Sequence, residues 1–374
     1  MARLNKKTKR LLLNLGFVAL LVTVTLVVLF VNHKELNFQS IAEYFKNSNP
    51  VWIVAACLCM LLFIFFEGLS IYVIALIFGN KAKFISSMAY SSADVFYSAI
   101  TPTAAGGQPA AVFYMARDGI SAGKGSFAML LNTIGYTAAI FVIGIAAVCI
   151  DPLLFGGINT VFAKVLVISG GVIQSALLGL YIGCMFFGKA ITKVGNGLIT
   201  FLNKIKLVKN PEKWHNKISD EVQKYGECRQ IIKQKPVVIF TTLLINTLQR
   251  VSQTLIPCFV CLAIKPDIDF LEVFVLQAFV LYGYNSIPIP GGVGAYEYLF
   301  INIYMQMFDN AFILLALMIS RLFSYYFSML VSGVVTLTYH MVGGKKTADE
   351  DSVPQPPPDG TEEIPPEEMQ ISEE

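Results

Sequence analysis

Six runs of apolar residues dominate this chain, at residues 11–31, 51–78, 126–150, 160–187, 237–264 and 311–340. Each is long enough to be a transmembrane helix, since ~20 residues rising ~1.5 Å apiece cross ~30 Å of hydrocarbon. Burial of all six in a water-soluble core fails on composition. Only 14% of the residues are charged and 55% are hydrophobic, whereas soluble domains carry about 25% charged residues, so too little polar surface remains to wet a chain of this size. The sequence therefore predicts an all-α integral membrane protein. The first run follows a basic start, residues 1–10, carrying Arg3, Lys6, Lys7, Lys9 and Arg10. It is longer than the apolar core of a signal peptide and has no small-residue cleavage site, so it is expected to stay as a first span.

Two further apolar stretches are broken. Residues 86–116 contain Pro102, Gly106, Gly107 and Pro109, and residues 270–307 contain Pro288, Pro290, Gly291, Gly292 and Gly294. Each reads as a short helix, a breaker loop and a second short helix. Irregular backbone survives at membrane depth only where protein or a water-filled cavity covers it, which predicts two re-entrant helical hairpins. The distribution of charge supports that count, because Lys and Arg gather on the cytoplasmic side. With six crossings, two hairpins returning to their own side and both termini cytoplasmic, 22 of the 28 basic residues fall inside. Lys34, Lys46, Lys164 and Lys265 fall outside or near a span end. Counting either broken stretch as a full crossing inverts everything after it and destroys the asymmetry. An inverted repeat follows: span, hairpin and span at 51–150, then the same order from the other side at 237–340. Broken segments at matching places in two halves point to a transporter's binding site.

The domain reading is a basic start (1–10), a transmembrane domain (11–342) interrupted by a basic cytoplasmic loop (188–236), and an acidic, proline-rich tail (343–374) expected to be disordered. Ten of the 25 acidic residues lie in that tail from residue 347 onward, where no basic residue occurs. The loop, with Trp214 and His215, suits anionic headgroups or plain solvation equally.

Ionisable side chains inside spans cost at least ~2.5–3.5 kcal/mol at a helix centre and are functional candidates for that reason. Four stand out: Glu67, Arg250, Glu297 and Arg321, with Asp94 a weaker fifth. Asn246, Arg250 and Gln253 are spaced four and three apart and share one helix face, as do Arg321, Ser324 and Tyr325. A guanidinium stays charged and binds phosphate through a fork of N–H donors. Glycine-rich breaks with free backbone N–H groups favour anions. Together these suit a lipid phosphate, with Glu67 and Glu297 holding or gating the arginines. A purely structural pairing of the same charges is the competing account. Cys258 and Cys261 have CxxC spacing without a second pair and read as small packing residues. No nucleotide loop, hydrolase elbow, metalloprotease motif or dinucleotide fingerprint is present, so neither a cofactor, a metal nor a nucleic-acid partner is expected.

The segment from Ser286 to Glu297, Ser-Ile-Pro-Ile-Pro-Gly-Gly-Val-Gly-Ala-Tyr-Glu, resembles the signature of the lysylphosphatidylglycerol synthase transmembrane family, also called flippase-like. The first break, Thr101-Pro-Thr-Ala-Ala-Gly-Gly-Gln-Pro109, resembles that family's other marked segment. The resemblance covers roughly residues 10–340. It implies a domain that moves phospholipids, notably aminoacylated phosphatidylglycerol, between leaflets of the plasma membrane. It implicates Pro288, Pro290, Gly291, Gly292, Gly294 and Glu297, with Pro102, Gly106, Gly107 and Gln108. The family's synthases carry a following soluble domain that transfers lysine from tRNA; residues after 340 are too few for one, so transferase activity is not expected of this chain. Three other readings stand beside lipid translocation: a secondary transporter of a small solute, a phosphatidylglycerol lysyltransferase, and a membrane subunit partnering a lipid-modifying enzyme. Oligomeric state is not legible.

Overall fold

The computed structural model describes residues 44–46, 48–78, 83–101, 104–186, 193, 197, 230, 233–285, 287 and 289–343. The basic start, the first apolar run, most of the basic loop, nearly all of the acidic tail, and Pro102 and Pro288 lie outside the described residues. The chain divides into a unit ending at Leu337, which holds the packed helices and the cavity between them, and one from Thr338, of which only the end of the last helix is described.

Among the described residues the protein is helical throughout, without strands. Helix α1 is Pro50–Ala75, prolonged by a 3₁₀ turn at Leu76–Phe78. Two short helices follow, α2 (Phe84–Ile100) and α3 (Gly107–Arg117), then the long α4 (Ala122–Ile150). A single turn at Pro152–Gly156 leads to α5 (Val161–Phe186). Helix α6 is Pro236–Ile264, followed by α7 (Phe270–Tyr284), a tight turn at Pro290–Gly292 and α8 (Ala295–Tyr304). Helix α9 (Asn310–Arg321) runs through a π-helical segment, Leu322–Phe327, into α10 (Ser328–Gly343). Five of these elements are long and apolar enough to cross a membrane: Pro50–Phe78, Ala122–Ile150, Val161–Gly183, Pro236–Ile264 and Asn310–Met341. They coincide with five of the six apolar runs of the sequence. At 29 residues, α4 and α6 each reach ~43 Å at ~1.5 Å per residue.

Local chemistry explains where the helices start. Asn49 accepts from the Val51 N–H (3.0 Å) ahead of Pro50, Asp269 from Leu271 (2.8 Å) and Asp309 from Phe312 (2.9 Å). Each carboxylate or amide satisfies N–H groups that a first turn leaves orphaned. Facing outward, α1, α4, α5, α6 and α10 expose Val54, Ile145, Val172, Phe240 and Val334, the surface that lipid requires and water would not tolerate.

Between helices, apolar side chains gain nothing from leaving lipid, so close approach across small residues has to hold them together. A Cβ on Gly170 of α5 would lie 2.5 Å from the Tyr282 carbonyl oxygen and 3.0 Å from the Gly283 Cα of α7, which is backbone against backbone. Tyr282 lies across Gly144 of α4, and Phe96 of α2 lies across Gly333 of α10. The buried interior falls into two main clusters. Ala56, Met60 and Ile64 of α1 pack with Ile256 and Val260 of α6, while Phe279, Leu299, Phe300, Ile303 and Tyr304 knit α7 to α8. An aromatic ladder, Phe300–Tyr304–Phe308–Phe312, with centroids 3.9, 6.1 and 4.4 Å apart, carries that cluster into α9. Cys258 and Cys261 are buried within it as packing residues.

The two helix–break–helix segments occupy equivalent places in their surroundings. In the first, α1 packs on α2, α2 on α3, α3 on α4 and α1 on α4; in the second, α6 packs on α7, α7 on α8, α8 on α9 and α6 on α9. The leading helices α1 and α6 form the most extensive contact in the molecule.

The close approach of α5 to α7 is testable. Gly170→Ala is expected to lower stability by about 1–3 kcal/mol, the usual cost of overpacking. Gly179→Ala, with nothing within 4 Å of the new Cβ, is expected to be neutral or to gain up to about 1 kcal/mol from helix propensity. Thermal unfolding of the two variants in detergent measures the contrast.

Candidate functional site

Helix α6 carries an unusual stripe of polar residues, Thr242, Asn246, Gln249, Arg250, Gln253 and Thr254, at helical spacing and therefore on one side. That side faces inward: Asn246, Gln249 and Arg250 are all buried. Part of the stripe forms one wall of a cavity of about 560 Å³. The remaining walls come from Phe63 and Glu67 on α1, Asp94 and Ser98 on α2, Gln108 on α3, Asn132, Thr133 and Tyr136 on α4, Tyr284 at the end of α7, and Ser324 and Tyr325 on the π segment. Gly291 and Gly292 of the second break and Ala104 and Ala105 of the first complete it. Both breaks thus open onto the same space.

Arg250 is the cation of this cavity. Its Nη1 donates to Gln253 Oε1 (2.6 Å), and its guanidinium lies 4.0 Å from the Tyr136 ring centroid and 5.2 Å from that of Phe63. Its Nε is buried without a hydrogen-bond partner among the described residues. Glu67 faces the same cavity from α1, where its Oε2 accepts from Gln249 Nε2 (3.3 Å) and its carboxyl lies beside that of Asp94. These contacts, rather than an ion pair, hold Glu67, and Arg250 acts on both carboxyls through space. The helices that carry the carboxyls are held tightly together: Ser91 Oγ donates to the Ile64 carbonyl (3.1 Å), and Gly68 lies under Met88.

Arg321 does different work. Its Nε donates to Glu297 Oε1 (2.7 Å), its Nη1 to the Gly291 carbonyl (2.7 Å), and the Tyr296 ring covers it at 3.9 Å. Glu297 in turn accepts from the Gly294 N–H, capping α8. One buried ion pair therefore ties α9, α8 and the second break together. Gly291 and Gly292 have φ of 59° and 62°, and a Cβ on either would strike the Tyr325 or Tyr284 ring at 2.3 Å, so no other residue fits there. The π segment starts directly after Arg321, a frequent companion of functional sites. It turns Tyr325 so that its hydroxyl donates to the Ala99 carbonyl (2.9 Å) at the end of α2. Arg321 lies outside the large cavity and borders a void of about 50 Å³ beside it.

Of the other sequence candidates, Asn246 lies off the cavity lining, fully buried and hydrogen-bonded to Ser70 (2.9 Å), Asn132 (3.2 Å) and the Thr242 carbonyl. It joins α6 to α1 and α4. Gln108 bonds Thr133 (2.9 Å), fastening α3 to α4. Gly106 donates to Thr101 Oγ1 (3.1 Å), and Gly107 lies so close to α2 that a Cβ would sit 2.0 Å from Asp94 Oδ1. Tyr136, Asn285, Gln249 and Asn132 line the site without having stood out in the sequence. Tyr136 and Asn285 bond each other across 149 positions, a pairing that no local pattern announces, whereas Gln249 was legible as part of the polar stripe.

Fold and cavity together define a multi-pass helical membrane protein with a charged internal site. The chain belongs to the family described as the lysylphosphatidylglycerol synthase TM region, which it matches over residues 16–332. It is similar to a UPF0104 membrane protein of Archaeoglobus fulgidus, at 22% identity over 333 residues, covering 87% of this chain and 96% of that one. No solved structure matches it.

The two arginines should respond differently to removal. Arg321→Ala leaves the half-buried Glu297 without its partner and is expected to cost about 3 kcal/mol, the low end for a buried pair. Arg250→Ala removes a group with one hydrogen-bonded partner and is expected to cost less than about 2 kcal/mol. Unfolding of both variants in the same detergent measures the difference.

Proposed function

We propose that this protein translocates phospholipids between the leaflets of the plasma membrane, with the headgroup phosphate passing through the cavity at Arg250 while the acyl chains remain in lipid. The observation that carries the reading is Arg250, a buried guanidinium that lines a cavity of about 560 Å³ without a carboxylate in direct contact among the described residues. A buried guanidinium donor without an acceptor is costly, and a phosphate oxygen is the acceptor whose geometry matches it. The cavity volume falls within the range of small-molecule sites and is sufficient for a glycerophosphate headgroup. Membership of the family supports lipid as the substrate class.

The topology belongs to the same proposal. Six spans, with α2–α3 and α7–α8 as re-entrant hairpins, place both termini in the cytoplasm and make the two packing units an inverted repeat. Support comes from the matching order of helix contacts and from the aromatic-on-glycine pairs Phe96–Gly333 and Tyr282–Gly144. Each of these aromatics stands six positions before the proline of its own break. In transporters of inverted-repeat design, substrate lies where the two broken elements meet, as both breaks do here. Anionic phospholipid, including aminoacylated phosphatidylglycerol, is the proposed cargo; a lipid-modifying enzyme is the proposed supplier.

Proteoliposomes containing fluorescent phosphatidylglycerol and an outer-leaflet quencher test this. Folded wild-type protein is expected to expose the protected inner pool, and Arg250→Ala to slow that exposure at least about tenfold, equivalent to ~1.4 kcal/mol. Folded wild-type protein that moves no phospholipid, or an unchanged rate in Arg250→Ala, contradicts the proposal.

A further inference from the structure

The cavity holds more acid than its single cation balances. Glu67 and Asp94 both line it with Arg250, and the two carboxyls are near enough to share a hydrogen bond. A carboxyl–carboxyl hydrogen bond needs one proton, because two carboxylates have only acceptors. The surroundings decide which group carries it. The first turn of α3, an 11-residue helix, comes up against Asp94 at Gly107, and the positive end of a helix favours a negative charge. Ser98 also donates to Asp94 Oδ1 (3.3 Å). Glu67 has two neutral hydrogen-bond partners, Gln249 and Ser91, and stands mid-helix on α1, away from any helix end. The helix end therefore favours the charge on Asp94 and the shared proton on Glu67.

The other groups facing this pair come from several elements. Helix α6 brings Arg250, α4 brings Tyr136, the end of α7 brings Tyr284 and the π segment brings Tyr325. Helix α3 brings Gln108, and the turn at Pro290–Gly292 brings Gly291 and Gly292. Only Arg250, Glu67 and Asp94 among these carry or lose charge near neutral pH. The empty site then sums to neutral: one guanidinium, one carboxylate and one carboxylic acid.

We propose that Glu67 and Asp94 form a proton-binding site coupled to Arg250, so that a phosphate monoanion enters this cavity together with one proton. The inference rests on the proposed binding of an anionic headgroup at Arg250 and adds what accompanies it. An entering phosphate makes the site net negative, and separated charge is expensive in a medium of low dielectric. Protonation of Asp94 by one proton from solvent restores neutrality and frees Arg250 for the phosphate. The proton is bound, not consumed, and leaves when the anion leaves. Linkage fixes the sign: anion affinity rises as pH falls, and anion binding raises proton affinity by the same factor.

The experiment measures binding of phosphatidylglycerol in nanodiscs to the full chain from pH 5 to 8, together with proton uptake from weakly buffered solution. Phosphatidylcholine, whose headgroup is net neutral, is the lipid control, and water-soluble glycerol phosphate distinguishes a free phosphate from a lipid headgroup as the source of the anion. The expected wild-type result is a gain of about tenfold in phosphatidylglycerol affinity per unit fall in pH over part of that range, the slope for one proton taken up, with little slope for phosphatidylcholine. Asp94→Asn, isosteric and permanently neutral, is expected to bind at all pH values and lose the slope. Glu67→Gln, still able to donate to Asp94, is expected to keep it. Phosphatidylglycerol binding that is independent of pH in the wild type, or a slope that persists in Asp94→Asn, overturns the coupling while leaving headgroup binding intact. Failure of any lipid to bind at any pH overturns both.

Discussion

The ion pair between Arg321 and Glu297 holds the second break in place, and the shape of the cavity depends on that break. In a bilayer, a backbone that leaves the helix has no water to satisfy its carbonyls and amides. Here one guanidinium takes the Gly291 carbonyl, and its partner carboxylate takes the Gly294 N–H. Arg321 is buried beneath Tyr296 and Glu297 is half-buried beside it, where desolvation makes an unpaired guanidinium costly. Neither could be exchanged for a neutral residue without leaving the other stranded, and loss of the clamp would release the glycine turn that forms part of the cavity wall. Tyr325 extends the clamp to the first break through the Ala99 carbonyl, so the two interruptions are fastened to one another.

Against this fixed frame, the opposite wall is chemically open. Arg250 rests on Tyr136 and Phe63 with a donor to spare, and the Glu67–Asp94 pair faces it through space rather than in a closed ion pair. The contrast between the two arginines separates support from function: both are buried cations in apolar helices, but only one has its nearest carboxylate in direct contact. Asn246 belongs with the supports. Its bonds to Ser70 and Asn132 join α6 to α1 and α4 at the level where the polar stripe passes into the cavity.

Much of this was legible in the sequence, and the unread part has physical causes. Five of the apolar runs coincide with the long helices because helix length in a bilayer is set by composition alone. The breaks at 101–107 and 285–294 were legible because proline and clustered glycine leave a helix few alternatives. Four intramembrane charges of balanced sign suggest pairing, and Arg321 with Glu297 realises it. Which partners Glu67 meets, Gln249 and Asp94, was not legible, because they depend on how α1, α2 and α6 rotate about their axes. Hydropathy says nothing about rotation. For the same reason Asn246, Arg250 and Gln253 looked equivalent on one face, although packing buries the first in a hydrogen-bonded cluster and leaves the others on the cavity. The π segment after Arg321, which aims Tyr325, has no composition of its own to betray it.

The central claim is that Arg250 is the site of the lipid phosphate. An experimental density map of the protein in nanodiscs rich in phosphatidylglycerol tests it directly. The account predicts headgroup density inside the cavity, with phosphate oxygen about 2.7–2.9 Å from an Arg250 nitrogen, as a charge-assisted bond requires. A cavity holding only water, with Arg250 closed in direct contact on Glu67 or Asp94 and the lipid phosphates confined to the membrane surfaces, would contradict it.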